Sequence, residues 1–264
     1  MTEEKSPAPA VTRAAAIMTV LAEGGPAGLT EIARTLGLAK SSTLNLMIAL
    51  EQSNLVRRGA DGYSLGRRTV ELGGAYVRGF DLVREFYRVC ASDPALQNEL
   101  CQIAALHGDS VLYLARHEGR APLRLSASIG DRFPASITAV GNILLAQLSD
   151  DEVRELYPDR ASLPIWTDRS VSSVGALLDK LAATRERGYS IDDRETNPGV
   201  YAMALLIPGR RLGDEPLALG VSMMEAMATD KARQQTLEHL REARAHLTSP
   251  QQIFSADDQA PGVS

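Results

Sequence analysis

Apolar positions in residues 11–22, VTRAAAIMTVLA, recur at a helical period, with Ala14, Ile17, Met18 and Leu21 on one face. Gly24-Gly25-Pro26 ends that helix. Thr30 fits the N-cap of a short helix from Glu31 to Leu36, stopped by Gly37. A third helix is predicted over about 39–52. At about 100° per residue, Ser41, Ser42, Asn45, Ala49 and Gln52 share one face of it. Thr43, Leu46, Met47 and Leu50 lie opposite, toward a core. Leu55–Arg58 and Tyr63–Leu65 then flank Gly59-Ala60-Asp61-Gly62, a β-hairpin pattern. Helix, helix, turn, helix, hairpin is the order of a winged helix-turn-helix. Residues 67–78 predict a linking helix with Val70, Tyr76 and Val77 as apolar points. Gly73-Gly74 inside it costs about 1 kcal/mol per glycine, so either a close neighbour or a flexing linker accounts for the pair.

The second half mixes both periods. A helix from about Asp81 must end near Ala91, because Ser92-Asp93-Pro94 cannot sit inside one. Residues 100–106 and 110–116 form a hairpin about the His107-Gly108-Asp109 turn, and Leu123–Ser126 predicts a third strand. Helices follow at Ala139–Gln147, at Asp150–Tyr157 behind a Ser149 cap, and at Val174–Arg187 before Gly188. Strands at about 189–193, 199–207 and 216–223 precede a last helix from Asp230 to about Leu247, capped by Thr229. The expected class is α/β (α+β). Its expected parts are a disordered tail (1–10), a winged helix-turn-helix (11–66), a linker helix (67–80), an effector-binding domain with an antiparallel sheet (81–248) and a second disordered tail (249–264).

Charge adds a direction to this pattern. Residues 11–70 hold seven basic side chains against four acidic, a net of +3; the chain as a whole carries −5, so the remainder carries −8. A mildly basic first domain on an acidic body suits a protein that touches DNA with one end. Lys40 can pair with a phosphate, and Thr30, Ser41, Ser42 and Thr43 offer hydroxyls near helix starts. Asn45 can bond adenine through both amide atoms, and Arg57 and Arg58 on the hairpin can reach the backbone or minor groove. The plainer alternative for this face is a solvated helix with serine at its start. No stretch of about 18 apolar residues predicts a membrane span, and MTEEKSPAPA has no apolar core of a signal peptide. Cys90 and Cys101 form no CxxC, which fits a reducing cytoplasm. His107, His117, His239 and His246 show no metal-ligand spacing, so no metal and no cofactor is expected.

The order of several short motifs resembles the IclR family of bacterial transcription regulators. They are Val11-x-Arg13-Ala14, Leu29-Thr30-Glu31-Ile32-Ala33, Leu36-Gly37-Leu38, Lys40-Ser41 and Tyr63-x-Leu65-Gly66 in the first half. The second half adds Asp109-x-Val111-x-Tyr113-Leu114, Pro122-Leu123-Arg124-Leu125-Ser126, Thr138-Ala139-Val140-Gly141, Arg187-Gly188-Tyr189, Asp192-Asp193 and Pro198-Gly199-Val200. The resemblance implies a GAF-like effector domain and homodimers that often pair into tetramers. It places an effector by the Thr138–Gly141 loop and the late strands, which nominates Ala139, Val140, Gly141, Asp193, Ala202 and Ser222. The family commonly carries arginine where this chain has Asn45, a basic residue at Asn142 and a cysteine at Ala202.

Elementary chemistry fits that nomination. Gly141 lets backbone approach a ligand, free amides at a helix start favour a carboxylate, and Ser222 can give a directional hydrogen bond. Equally, Thr138 can simply cap a helix while Gly141 gives packing room. Met203, Leu205, Met223 and Met224 on or near the late strands point to an aromatic or apolar ligand body, or to plain core. Three functions compete: a ligand-responsive regulator of operator DNA, a DNA-binding protein whose C-terminal domain only dimerises, and an enzyme. The sequence offers no catalytic residues to the third. Gly220-Val221-Ser222-Met223 lacks the second glycine of a nucleophile elbow, no phosphate-binding glycine loop occurs, and carboxylates such as those of Asp192-Asp193-Arg194-Glu195, on a loop or strand end, are more simply solvated or bound to an arginine.

Overall fold

The structure, a computed structural model, describes residues 6–78, 81–119, 128–209 and 214–248. The strand expected at Leu123–Ser126 and the tail expected from 249 lie outside these residues. The chain divides into two compact units between Phe80 and Asp81.

The first unit runs α1 (Pro9–Gly24), α2 (Leu29–Thr35), α3 (Lys40–Gln52), β1 (Val56–Gly59), β2 (Gly62–Leu65) and α4 (Arg67–Arg78). Helix α1 begins two residues inside the segment expected to be disordered, with proline at its first turn, where a missing N–H costs nothing. Helix α2 also starts early. Gly28, not Thr30, is its cap, because Leu29 is already packed against the core and Thr30 lies within the helix, exposed. Gly37 takes φ +62° and turns the chain from α2 into α3. Ile17, Leu21, Ile32, Met47, Leu50, Val56 and Tyr63 close one small core. The hairpin pairs Arg57 with Ser64 and Arg58 with Tyr63, and Ala27 bonds Tyr63 through both backbone groups. Along α4, Val70 is 76% exposed, and a Cβ built on Gly73 meets open space, so no close neighbour within the chain demands that glycine.

The second unit holds a six-stranded antiparallel sheet in the order β5-β4-β3-β8-β7-β6. Its strands are β3 (Leu100–His107), β4 (Ser110–His117), β5 (Arg132–Pro134), β6 (Ser190–Asp193), β7 (Val200–Ile207) and β8 (Leu217–Met224). The helices are α5 (Asp81–Ser92), α6 (Ala139–Leu145), α7 (Asp150–Leu156), α8 (Val174–Arg187) and α9 (Asp230–Thr248). Helices α6, α7 and α8 share a core with Ala104, Ala202, Ala204 and Ala218 of the sheet. Helices α5 and α9 pack on each other and on β4, β7 and β8. Ser149 and Glu152 cap α7 reciprocally, and Gly188 at φ +77° closes α8. Strand β5 has no sequence forecast, since three residues carry no readable alternation.

Candidate nucleic-acid interface and effector cavity

Helix α3 turns Met47 and Leu50 inward, so its other side is presented to solvent. Lys40, Ser41 and Asn45 are exposed there and Ser42 is half-buried. Thr43 is not part of this face. It is fully buried and its hydroxyl donates to the Ala39 carbonyl at 3.1 Å, because position 43 lies on the arc of Met47 and Leu50. Leu44 (41% exposed) and Ile48 (44%) stand on the outward face as well, beside the polar groups that the sequence marks. Arg57 and Arg58 are exposed on β1, with the Arg58 guanidinium 5.7 Å from the Tyr63 ring centre. Lys40, the serines, Asn45 and two arginines thus give a basic, hydrogen-bonding surface on one small domain.

In the second unit a cavity of about 150 Å³ opens between the start of α6 and the sheet. Ala139, Val140, Ala202 and Ser222, four of the six residues that the resemblance places by an effector, line it. Ala202 and Ser222 are cross-strand partners of β7 and β8, and both side chains are buried. Ser190 fixes the helix to the sheet by donating to the Ala139 carbonyl at 2.6 Å. Gly220 allows Val140 onto β8, since a Cβ there would lie 2.5 Å from Val140 Cγ1.

Two nominations need correction. Gly141 does not line the cavity. Its amide donates to Thr138 Oγ1, and a Cβ on it would sit 2.2 Å from the Ala135 carbonyl oxygen, so glycine is a packing requirement there. Asp193 points away from the cavity and bonds Arg194 at 3.0 Å, while its neighbour Asp192 faces in. Strand alternation decides this: Ser190 and Asp192 of β6 are buried, Ile191 and Asp193 only half so.

Asp192 organises the loop beyond β6. Its Oδ1 accepts from the Glu195 amide at 2.6 Å and its Oδ2 from the Thr196 hydroxyl at 2.5 Å. Burial holds its carboxyl above the usual aspartate range, against the pull of those hydrogen bonds and of Lys180. Lys180 pairs with Glu195 at 2.5 Å, and burial drives both toward neutrality, lowering the lysine and raising the glutamate.

Residues that sequence reading does not nominate supply much of the wall. Gln102 and Tyr113 come from β3 and β4, Phe133 from β5, and Trp166, Thr196 and Asn197 from loops. Tyr113, Phe133 and Trp166 stack edge to face at 5.6 and 5.5 Å between ring centres. Burial, with the Asp192 charge, pushes the Tyr113 phenol well above its usual range, so it stays protonated as a donor. No Lys, Arg or His is among the described residues of this wall. The cavity can therefore take a flat apolar body and bond it through Gln102, Tyr113, Thr196 and Ser222, with Asp192 as the acidic group on its wall.

A family model described as Bacterial transcriptional regulator IclR C-terminal matches residues 75–248, and one described as IclR helix-turn-helix domain matches residues 10–60. The chain belongs to the IclR family. It is a DNA-binding transcription regulator of that family and not an enzyme. It is 29% identical over 191 residues to the HTH-type transcriptional regulator KdgR of Escherichia coli, covering 72% of each chain. It is 32% identical over 202 residues to the HTH-type transcriptional regulator TtgV of Pseudomonas putida, covering 75% of each. Among solved structures, an IclR homolog from Microbacterium hydrocarbonoxydans complexed with 4-hydroxybenzoate shares the fold at a TM-score of 0.74 and 22% identity, covering 90% of this chain and 97% of that one. Among the described residues, no helix of the IclR-family protein is long and apolar enough to cross a membrane.

Proposed function

We propose that this IclR-family regulator senses a benzene-sized aromatic metabolite carrying a hydroxyl or carboxyl group, in the cavity between α6 and the sheet. The observation that carries this is the cavity wall, which combines three aromatic rings with the hydrogen-bonding side chains of Gln102, Thr196 and Ser222. A cavity of about 150 Å³ holds a benzene-sized molecule. The 4-hydroxybenzoate bound by the Microbacterium homolog has that shape. Residues 11–66 bind operator DNA through Lys40, Ser41, Ser42, Asn45, Arg57 and Arg58, residues 67–80 link, and residues 81–248 hold the effector. The protein acts in the cytoplasm as a homodimer, because one recognition helix covers only a half-site. The exposed Val70 on α4 is apolar surface that a second copy would cover, and a protein that sediments as a monomer at micromolar concentration would remove that part of the reading.

Trp166 is the only tryptophan in the chain and it lines the cavity, so binding has an intrinsic reporter. Benzoate, 4-hydroxybenzoate and phenol are titrated against the full chain, with succinate as an aliphatic control, while tryptophan emission and melting are followed. Saturable quenching by an aromatic member, lost when Ala202→Leu fills the wall, supports the reading. Operator affinity that shifts at the same concentration links the two units. If no aromatic acid or phenol changes emission, melting or operator binding, the aromatic reading falls.

A further inference from the structure

Asp93 and helix α9 bring together metal-ligating side chains far apart in sequence. Asp93 follows α5, and its Oδ1 accepts from the amides of Ala95 and Leu96, both at 2.9 Å. That fixes the carboxylate and leaves Oδ2 directed at α9, where it lies 2.9 Å from His239 Nδ1. Glu242 stands one turn further along α9. One ligand atom from each of Asp93, His239 and Glu242 falls within 4.8 Å of the others. The Asp93 and His239 side chains are 13% and 35% exposed, so the group is a partly sheltered notch rather than an open surface. A cavity of about 220 Å³ adjoins it, lined among others by Asp93, Glu242 and a second histidine, His246.

We propose that Asp93, His239 and Glu242 form a binding site for a divalent transition-metal ion of the zinc class. One imidazole and two carboxylates are a ligand set such ions accept, and three protein ligands leave a fourth position for water. Bonds of about 2.0–2.1 Å in a tetrahedron set ligand atoms roughly 3.3 Å apart. The His239–Asp93 pair therefore opens by a few tenths of an ångström, and the exposed Glu242 side chain turns in by a rotamer change. Asp93 already has the outer-shell support that orients a metal carboxylate, since two amides hold its other oxygen. The neighbouring cavity gives the fourth ligand room. Arg88 also borders that cavity, but its guanidinium is drawn to Glu85 on its own helix. In the metal-free state, the His239–Asp93 hydrogen bond occupies the place of the ion. A bound ion would tie α9 to the segment that leaves α5.

The test uses the full-length chain, stripped with a chelator and titrated with Zn²⁺ against a chromophoric competitor, with melting followed in parallel. One equivalent should bind at micromolar or tighter affinity and raise the melting temperature. His239→Gln and Glu242→Gln should each weaken binding at least tenfold. Glu242 is exposed, so its variant should melt like the stripped wild type and the loss cannot be put down to unfolding. Absence of saturable binding, or binding equally tight in both variants, would overturn the assignment. The second result would place the ion at other residues, such as the two cysteines.

Discussion

Lys40 and Lys180 carry the same charge in opposite settings. Lys40 opens α3 on its exposed side, where its charge can meet a phosphate. Lys180 is 14% exposed in the second unit, bonded to Glu195 and to the Ser136 carbonyl. The exposed polar residues of α3 stand on a helix whose folding depends on the other side, so each can be changed alone. Lys180 and Glu195 hold each other in place in a buried setting, and a change to one is felt by the fold. Lys180→Met should therefore cost about 3–5 kcal/mol in urea unfolding, because it strands the buried Glu195 carboxylate. Lys40→Met should stay within about 0.5 kcal/mol of wild type. It should instead weaken all DNA sequences alike and lower the salt slope by about one unit. Similar unfolding costs for the two lysines would break the comparison.

Asp192 and Asp193 repeat the contrast between adjacent residues. Asp192→Ala removes the acceptor that holds the Glu195 amide and the Thr196 hydroxyl, and should cost about 1–3 kcal/mol. It should also weaken effector binding at least tenfold by tryptophan titration. Asp193→Ala loses one half-exposed pair and should change stability by less than about 1 kcal/mol, with effector affinity kept. The raised Asp192 carboxyl carries a sign. Between the ordinary aspartate value and its raised folded one, the native state binds more protons, so stability falls as pH rises. Asp192→Asn should flatten that slope, and Glu195, raised for the same reason, should leave part of it.

The two regions also differ in what their residues announce in advance. A winged helix is built from local contacts, so one period and a few glycines foretell it; Gly37 and Gly62 both take positive φ where turns are expected. The cavity is drawn from strands β3 to β8, helix α6 and irregular loops. An Asp-Asp doublet leaves strand phase open, so the sequence has no means to correct the resemblance, which nominates Asp193 where the strand turns in Asp192. Gly141 serves two readings, backbone approach and packing, and the Ala135 backbone decides for packing. Nothing in the sequence around Phe133 or Trp166 marks them as neighbours of Tyr113, because that contact exists only after the chain has folded.

Within α3 the same contrast can be made between two polar residues two positions apart. Asn45→Ala should cost about 1–3 kcal/mol at one base pair per half-site and leave melting unchanged. Thr43→Ala should do the reverse. It removes a fully buried hydroxyl and its bond to Ala39, so stability should drop by about 1 kcal/mol while base preference holds. Selection of binding sites from random DNA, run beside urea unfolding, reads both.

The smallest effect concerns Leu44 and Ile48. They lie one turn apart on the exposed side of α3, near Asn45. A surface aliphatic is ordinary by itself. On a face that enters a major groove it has one apolar partner in each A·T pair, the thymine methyl. If α3 is that face, operators should carry thymine beside the position that Asn45 reads. Replacing that thymine by deoxyuridine removes one methyl and keeps every hydrogen bond. Burying one such group is worth about 0.8 kcal/mol, so affinity should fall about fourfold at each contacted thymine. Leu44→Ala should remove the sensitivity at one thymine and Ile48→Ala at another, while Asn45→Ala leaves both in place. Equal affinity for thymine and deoxyuridine operators at every position would show that the apolar pair stays in water and that α3 reads DNA through its polar residues alone.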